Sequence, residues 1–100
     1  MPKGYWVASV DVTDMDAYQK YRAALAAPFR KFGGRFLTRG GQSEPVEGKL
    51  RSRVVLIEFP SYEAARDCYR SPEYEAAKAL RLAASNADIV ILEGYDGPQP

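Results

Sequence analysis

Ser52-Arg53-Val54-Val55-Leu56-Ile57-Glu58-Phe59, closed by Pro60 and Ser61, is the stretch on which the fold turns. Apolar residues occupy both of its alternating sets, so it reads as a central strand with two covered faces. Pro60 ends the ladder, and Ser61 can cap a following helix that carries Tyr62, Ala65, Cys68 and Tyr69. Ser71-Pro72 places a second cap and a first-turn proline at a restart, predicting a linked helical segment to about Ser85. Asp88 to Tyr95, with Ile89, Val90, Ile91 and Leu92, is another nearly continuous apolar strand.

Upstream, Tyr5 to Val12 alternates Trp6, Ala8, Val10 and Val12 with Tyr5, Val7, Ser9 and Asp11, the pattern of a first strand. Thr13 or Asp14 can cap the next helix, and Asp16 adds negative charge where the helix dipole favours it. The stripe Tyr18, Tyr21, Leu25, Phe29 and Phe32 falls on one helical face, and Pro28 within it predicts a bend near Ala27. Gly33 and Gly34 end the helix, and Arg35 to Gly40 follows as a short strand. Gly40 to Lys49, rich in turn-forming residues, is expected to be a mobile hairpin arm.

The resulting order predicts an α+β, ferredoxin-like βαββαβ chain, with one domain over residues 1–96 and a tail over 97–100. Right-handed crossovers put both helical regions on one face of a four-stranded antiparallel sheet. The other face is left bare although strands three and four are apolar on both sides. A second copy of the chain, packed face to face, is the simplest cover.

Composition narrows the chemistry. A formal net charge of +1, from 14 Lys plus Arg against 13 Asp plus Glu, creates no strong field for nucleic acid or an anionic membrane. Cys68 is the only cysteine and there is no histidine, so an intrachain disulfide is impossible and the usual zinc ligand sets are missing. No apolar run approaches the roughly 18 residues of a membrane span, and the N-terminal apolar segment is short for a signal peptide. A cytoplasmic protein with no metal and no cofactor is expected. Gly40-Gly41 leads into a turn-rich arm, not a helix, so it is not a phosphate loop.

Four strings carry a family resemblance: GYWVASVDV (4–12), KFGGRFLTRGG (31–41), VVLIEFPSYEAARDCYRSPEY (54–74) and DIVILEGYDGPQP (88–100). In this order and spacing they resemble the bacterial family called domain of unknown function 1330, over almost the whole chain. The resemblance implies a dimeric α/β barrel, in which two ferredoxin-like sheets pack against each other. That group includes cofactor-independent monooxygenases, small-lactone isomerases, heme-degrading enzymes and proteins with no known activity. It selects no reaction and carries over no catalytic residues.

Candidate site residues therefore come from chemistry. Arg39, flanked by Gly40 and Gly41, can hold a carboxylate bidentately, and Arg53 can point the same way from the adjacent strand. The alternative is a strand-end arginine paired with an acid. Glu58 interrupts an apolar strand and is a weak catalytic candidate as a general acid or base, or else it pairs with a neighbouring arginine. Glu93 has the same two readings. Tyr18, Tyr21, Tyr69 and Tyr74 can line a pocket for an aromatic or enolic ligand, or serve as core residues with hydrated hydroxyls. Arg22 and Arg81 can reach that cavity from the helices, or stand in solvent. Cys68, with no histidine to activate it, reads as a quiet buried thiol.

Three functional classes follow. One binds or converts a small anionic or enolic molecule without a metal, in a pocket lined by Tyr18, Tyr21, Arg39 and Glu58. The second is a non-catalytic homodimeric structural or regulatory module. The third, RNA binding on the open sheet, is disfavoured because residues 53–59 lack the glycine-aromatic pattern of RNA-recognition strands.

Overall fold

The computed structural model describes residues 2–100. Strand β1 (Gly4–Val12) leads through the Asp14 cap, whose carboxylate accepts from the Ala17 amide at 3.1 Å, into α1 (Met15–Ala24). A second helix, α2 (Ala26–Phe32), continues the same stripe and ends at Gly33, whose φ of 77° is the left-handed conformation glycine tolerates. Strand β2 (Arg35–Arg39) and an irregular exposed stretch precede β3 (Arg53–Phe59). Ser61 and Ser71 then cap α3 (Tyr62–Tyr69) and α4 (Pro72–Ala84) by accepting from the Ala64 and Tyr74 amides, and β4 (Ser85–Glu93) closes the sheet.

The helix break falls at Leu25, two residues before the bend expected near Ala27. Pro28 is the third residue of α2, inside the first turn, where a missing amide hydrogen costs no intrahelical bond. Proline thus starts the second helix rather than kinking one long helix. The last strand begins at Ser85, three residues before the expected Asp88. Asn86 and Ala87 are poor strand formers, but nine residues of β1 offer partners as far as Val12, opposite Ser85. The Thr13 and Asp14 amides both donate to the Ala84 carbonyl, at 2.8 and 3.1 Å, fastening the junction.

The sheet is antiparallel throughout, in the order β2-β3-β1-β4, the ferredoxin-like arrangement expected from the element order. Opposite residues share a face, so Trp6 aligns with Ile57 and Ile91, and Ala8 with Val55 and Ile89, beneath the helices. Trp6 is the centre of this core, 1% exposed, with Nε1 donating to the Ala65 carbonyl at 2.8 Å. The rings of Phe29, Phe59, Tyr69 and Tyr74 surround it at centroid distances of 4.8 to 5.6 Å, mostly edge to face, as aromatic quadrupoles prefer. Cys68 is fully buried and its Sγ contacts the Pro28 carbonyl, while burial pushes its pKa up to about 12. It remains a thiol.

The other face carries Tyr5, Val7, Val54, Leu56, Val90 and Leu92, with no helix over it. Val90 and Leu92 are 47% and 45% exposed. Among the described residues no helix is long and apolar enough to cross a membrane.

Candidate functional site

Between the covered face and α1 lies a cavity of about 30 Å³, room for a water or two. Tyr18, Tyr21, Arg39 and Arg53, singled out from the sequence as ligand-binding residues, all line it, and so do Arg22 and Arg81. The walls between them are apolar, including Trp6, Leu25, Phe36 and Ile89, and no lining residue is Asp or Glu. A groove of about 240 Å³ shares Arg22, Leu25, Phe36 and Arg39 with the cavity, so these four residues separate the inner space from the surface.

Each arginine arrives by a different device. Arg53 stands opposite Val10 and so takes the parity of the core face. Arg39 reaches that face only because β2 bulges at Leu37: Phe36 pairs with Ile57 and Thr38 with Leu56, two steps on β2 against one on β3. Without the extra residue Arg39 would point to the open side. The Thr38 hydroxyl accepts from the Leu56 amide at 3.0 Å, which repairs the ladder there. Arg39 then lies over the Phe36 ring at 4.2 Å, and its carbonyl accepts from Arg53 Nη2 at 3.2 Å. Gly40, at φ 75°, leaves the Arg53 guanidinium space that a Cβ would occupy.

Arg81 descends from α4 on the stripe Tyr74, Ala77, Arg81 and Ala84, and is only 5% exposed. The rings of Tyr18 and Tyr21 stand 5.4 Å apart, and each has one guanidinium beside it: Arg53 at 5.8 Å from Tyr18, Arg81 at 6.0 Å from Tyr21. Behind Tyr21, its hydroxyl and that of Tyr74 share a hydrogen bond of 3.0 Å. Burial drives the pKa of Tyr21 far above the phenol range, and that of Tyr74 is raised by burial against the opposing pull of Arg81. Both are therefore hydroxyl donors near neutral pH rather than phenolate bases.

None of Arg22, Arg39, Arg53 and Arg81 has a carboxylate partner among the described residues. Arg53 Nε and Arg81 Nε are buried without any hydrogen-bond acceptor, a costly state for a charged donor. Chemically the site offers several cations and neutral phenols around apolar walls, suited to holding an anion and to stabilising charge that develops on oxygen. It provides no carboxylate base. Among the described residues no group of three or more His, Cys, Asp and Glu gathers to hold a metal ion.

Glu58 is not part of this arrangement. It shares the parity of Tyr5 on the open face, where Arg35 Nε donates to it at 2.9 Å and Tyr5 Oη at 3.5 Å. The pocket expected to contain Glu58 with Tyr18, Tyr21 and Arg39 thus forms without it, because strand alternation sends Glu58 away from Val55 and Ile57. Glu93 has the parity of the covered face, opposite Gly4, but it lies exposed at the far end of β4 and does not line the cavity. Of the two helix arginines, Arg22 and Arg81, Arg81 is the more deeply placed. Its signal was its position on the apolar stripe of α4, seven residues after Tyr74.

Comparison with solved structures places this architecture among similar folds. A protein of unknown function from Rhodopseudomonas palustris is 20% identical, with a TM-score of 0.72, and the match covers 96% of this chain and 85% of that one. SnoaB, a cofactor-independent oxygenase from Streptomyces nogalater, is 14% identical with a TM-score of 0.63, covering 100% of this chain and 97% of its own. A dimeric ferredoxin-like protein of unknown function from Thermobifida fusca is 14% identical with a TM-score of 0.61, covering 92% and 91%. At these identities the likeness shows the fold. No curated protein matches the sequence. The model of the family named Domain of unknown function (DUF1330) matches residues 3–95, and the chain belongs to that family.

Proposed function

We propose that the protein binds a small organic anion, a carboxylate or enolate with an apolar body, and acts on it without a metal or cofactor. The observation that carries this reading is the set of arginines around one apolar cavity with no carboxylate to neutralise them. Arg39 and Arg53 take the anionic group, and Tyr18, Tyr21, Leu25 and Phe36 pack on the body. The groove beside Arg22 and Arg39 gives the ligand its entrance, and displacement of those side chains enlarges the inner space. Conversion in such a site proceeds through charge stabilisation on an enolate or phenolate oxygen, which suits the donors present. The fold shared with a cofactor-independent oxygenase is compatible with this chemistry.

The working form is a homodimer through the open sheet face. Val7, Leu56 and Val90 form one row across three strands there, and the dimeric ferredoxin-like neighbour supports the same reading.

Thermal melting with a panel of small carboxylates tests the site. A binder at a hundred times its Kd adds about 2.7 kcal/mol, or on the order of ten degrees in Tm for a domain this size. Arg39→Ala and Arg53→Met are expected to remove that gain while leaving a folded, unliganded protein. If no carboxylate shifts the melt, or both variants keep the full shift, the non-catalytic dimer module is the better reading.

A further inference from the structure

The deepest cation of the cavity has no role in holding a carboxylate at the mouth. Arg81 is 5% exposed, whereas Arg39 is exposed, so the two lie at opposite depths of the site. Its Nε–H is buried with no acceptor. Beside it, the Tyr21 and Tyr74 hydroxyls are 3.0 Å apart. In a bonded pair of hydroxyls one proton is used within the pair and the other is free to be donated outward. Tyr21 lines the cavity and Tyr74 stands behind it, so Tyr74 donating to Tyr21 leaves the Tyr21 proton directed at the cavity. The charge of Arg81 acts on the Tyr74 hydroxyl, which polarises this short chain in the same direction.

Resting on the anion-binding reading above, we propose that Arg81 and the Tyr21 hydroxyl, supported by Tyr74, form an inner subsite for a second oxygen of the ligand. The ligand class is then an acid that carries, remote from its carboxylate, a phenolic or enolic hydroxyl which ionises on binding. The volumes agree with this division. The inner space of about 30 Å³ takes an oxygen-bearing tip, and the adjoining groove of about 240 Å³ takes the ring and the carboxylate beside Arg39. Arg81 and Tyr21 both line the inner space and no acidic side chain does, so the ionised oxygen is favoured and its proton passes to solvent.

The experiment uses 4-hydroxy-3-nitrobenzoate, whose phenolate is coloured, with 3-nitrobenzoate as the partner that lacks the hydroxyl. The phenol of the bound probe is expected to titrate about one unit lower than in free solution, a tenfold shift toward the phenolate. Tyr21→Phe, which keeps the ring and its packing, and Arg81→Gln each return the titration toward the free value. Arg39→Ala weakens binding of both probes and leaves the bound titration shifted. A bound phenol that titrates at its free value or higher, with both probes bound equally, overturns the inner subsite and leaves the carboxylate reading standing. A shift that survives Tyr21→Phe and Arg81→Gln also overturns it. If neither probe binds, both readings fall together.

Discussion

The two faces of the sheet treat arginine in opposite ways. On the open face Arg35 is paired with Glu58 at 2.9 Å, and Arg51 holds both Asp11 and Asp88 at 3.0 Å. On the covered face Arg39, Arg53 and Arg81 have no carboxylate partner among the described residues, and two of them bury an unbonded Nε. A face that is to meet a second sheet does best with its charges already neutralised at the edges and aliphatic side chains in the middle. A face that is to receive an anion needs positive charge left over. The difference is what the proposed roles of the two faces, assembly on one and anion binding on the other, require.

The largest expected effect comes from breaking the neutrality of the open face. Val90→Asp places a carboxylate at the β4 end of the row formed with Val7 and Leu56, on the surface a second sheet would cover. Val90 is 47% exposed in the single chain, so folding of the subunit is little affected. The dimer dissociation constant should rise on the order of a hundredfold or more, read by sedimentation against concentration. Unchanged association would remove the open face as the interface.

A smaller and more specific effect compares one arginine from each face. Arg53→Met removes a buried donor that lacks an acceptor, and the unliganded protein is expected to gain about 1 kcal/mol in urea unfolding. Arg35→Met instead takes the partner from Glu58, and the loss is about 0.5–1 kcal/mol because Arg35 is largely exposed and the pair is screened. Opposite signs sharpen the contrast between the faces. Equal losses would dissolve it.

The smallest effect belongs to the cluster at the end of the irregular stretch. The Asp11 carboxyl is held below the usual aspartate range first by the Ser52 amide, then by Arg51 and the Ser52 hydroxyl. A pKa lowered in the folded state stabilises above the unfolded value of about 3.9, and that contribution is lost as pH falls through the folded value. Asp11→Asn should therefore lower the urea midpoint slightly near neutral pH and make no difference in strong acid. A difference that grows with acidity would have the wrong sign for this cluster.

Much of the fold was legible because its signals are local. Asp14, Ser61 and Ser71 cap helices where side-chain oxygens stand before helical stripes, and each accepts the expected amide. Strands β1 and β3 fall within a residue of their expected bounds. That Tyr18, Tyr21, Arg39 and Arg53 would gather at one cavity was also legible, since the tyrosines share a helical face and the arginines lie at the ends of adjacent strands. The parity of Glu58 was not. Val54 and Leu56 are as apolar as Val55 and Ile57, so alternation alone could not say which set faces the helices.

By itself the sequence determined the order of elements, the caps, the bare apolar face and a stock of arginines, because these depend on side-chain type and spacing along the chain. Tertiary structure alone decided which arginines are spent on carboxylates and which are left to the cavity. One extra residue at Leu37 turns Arg39 to the covered side, and the packing of α4 on the sheet carries Arg81 inside with its Nε unbonded. Both depend on contacts between residues far apart in sequence, where a single step of register exchanges one face for the other.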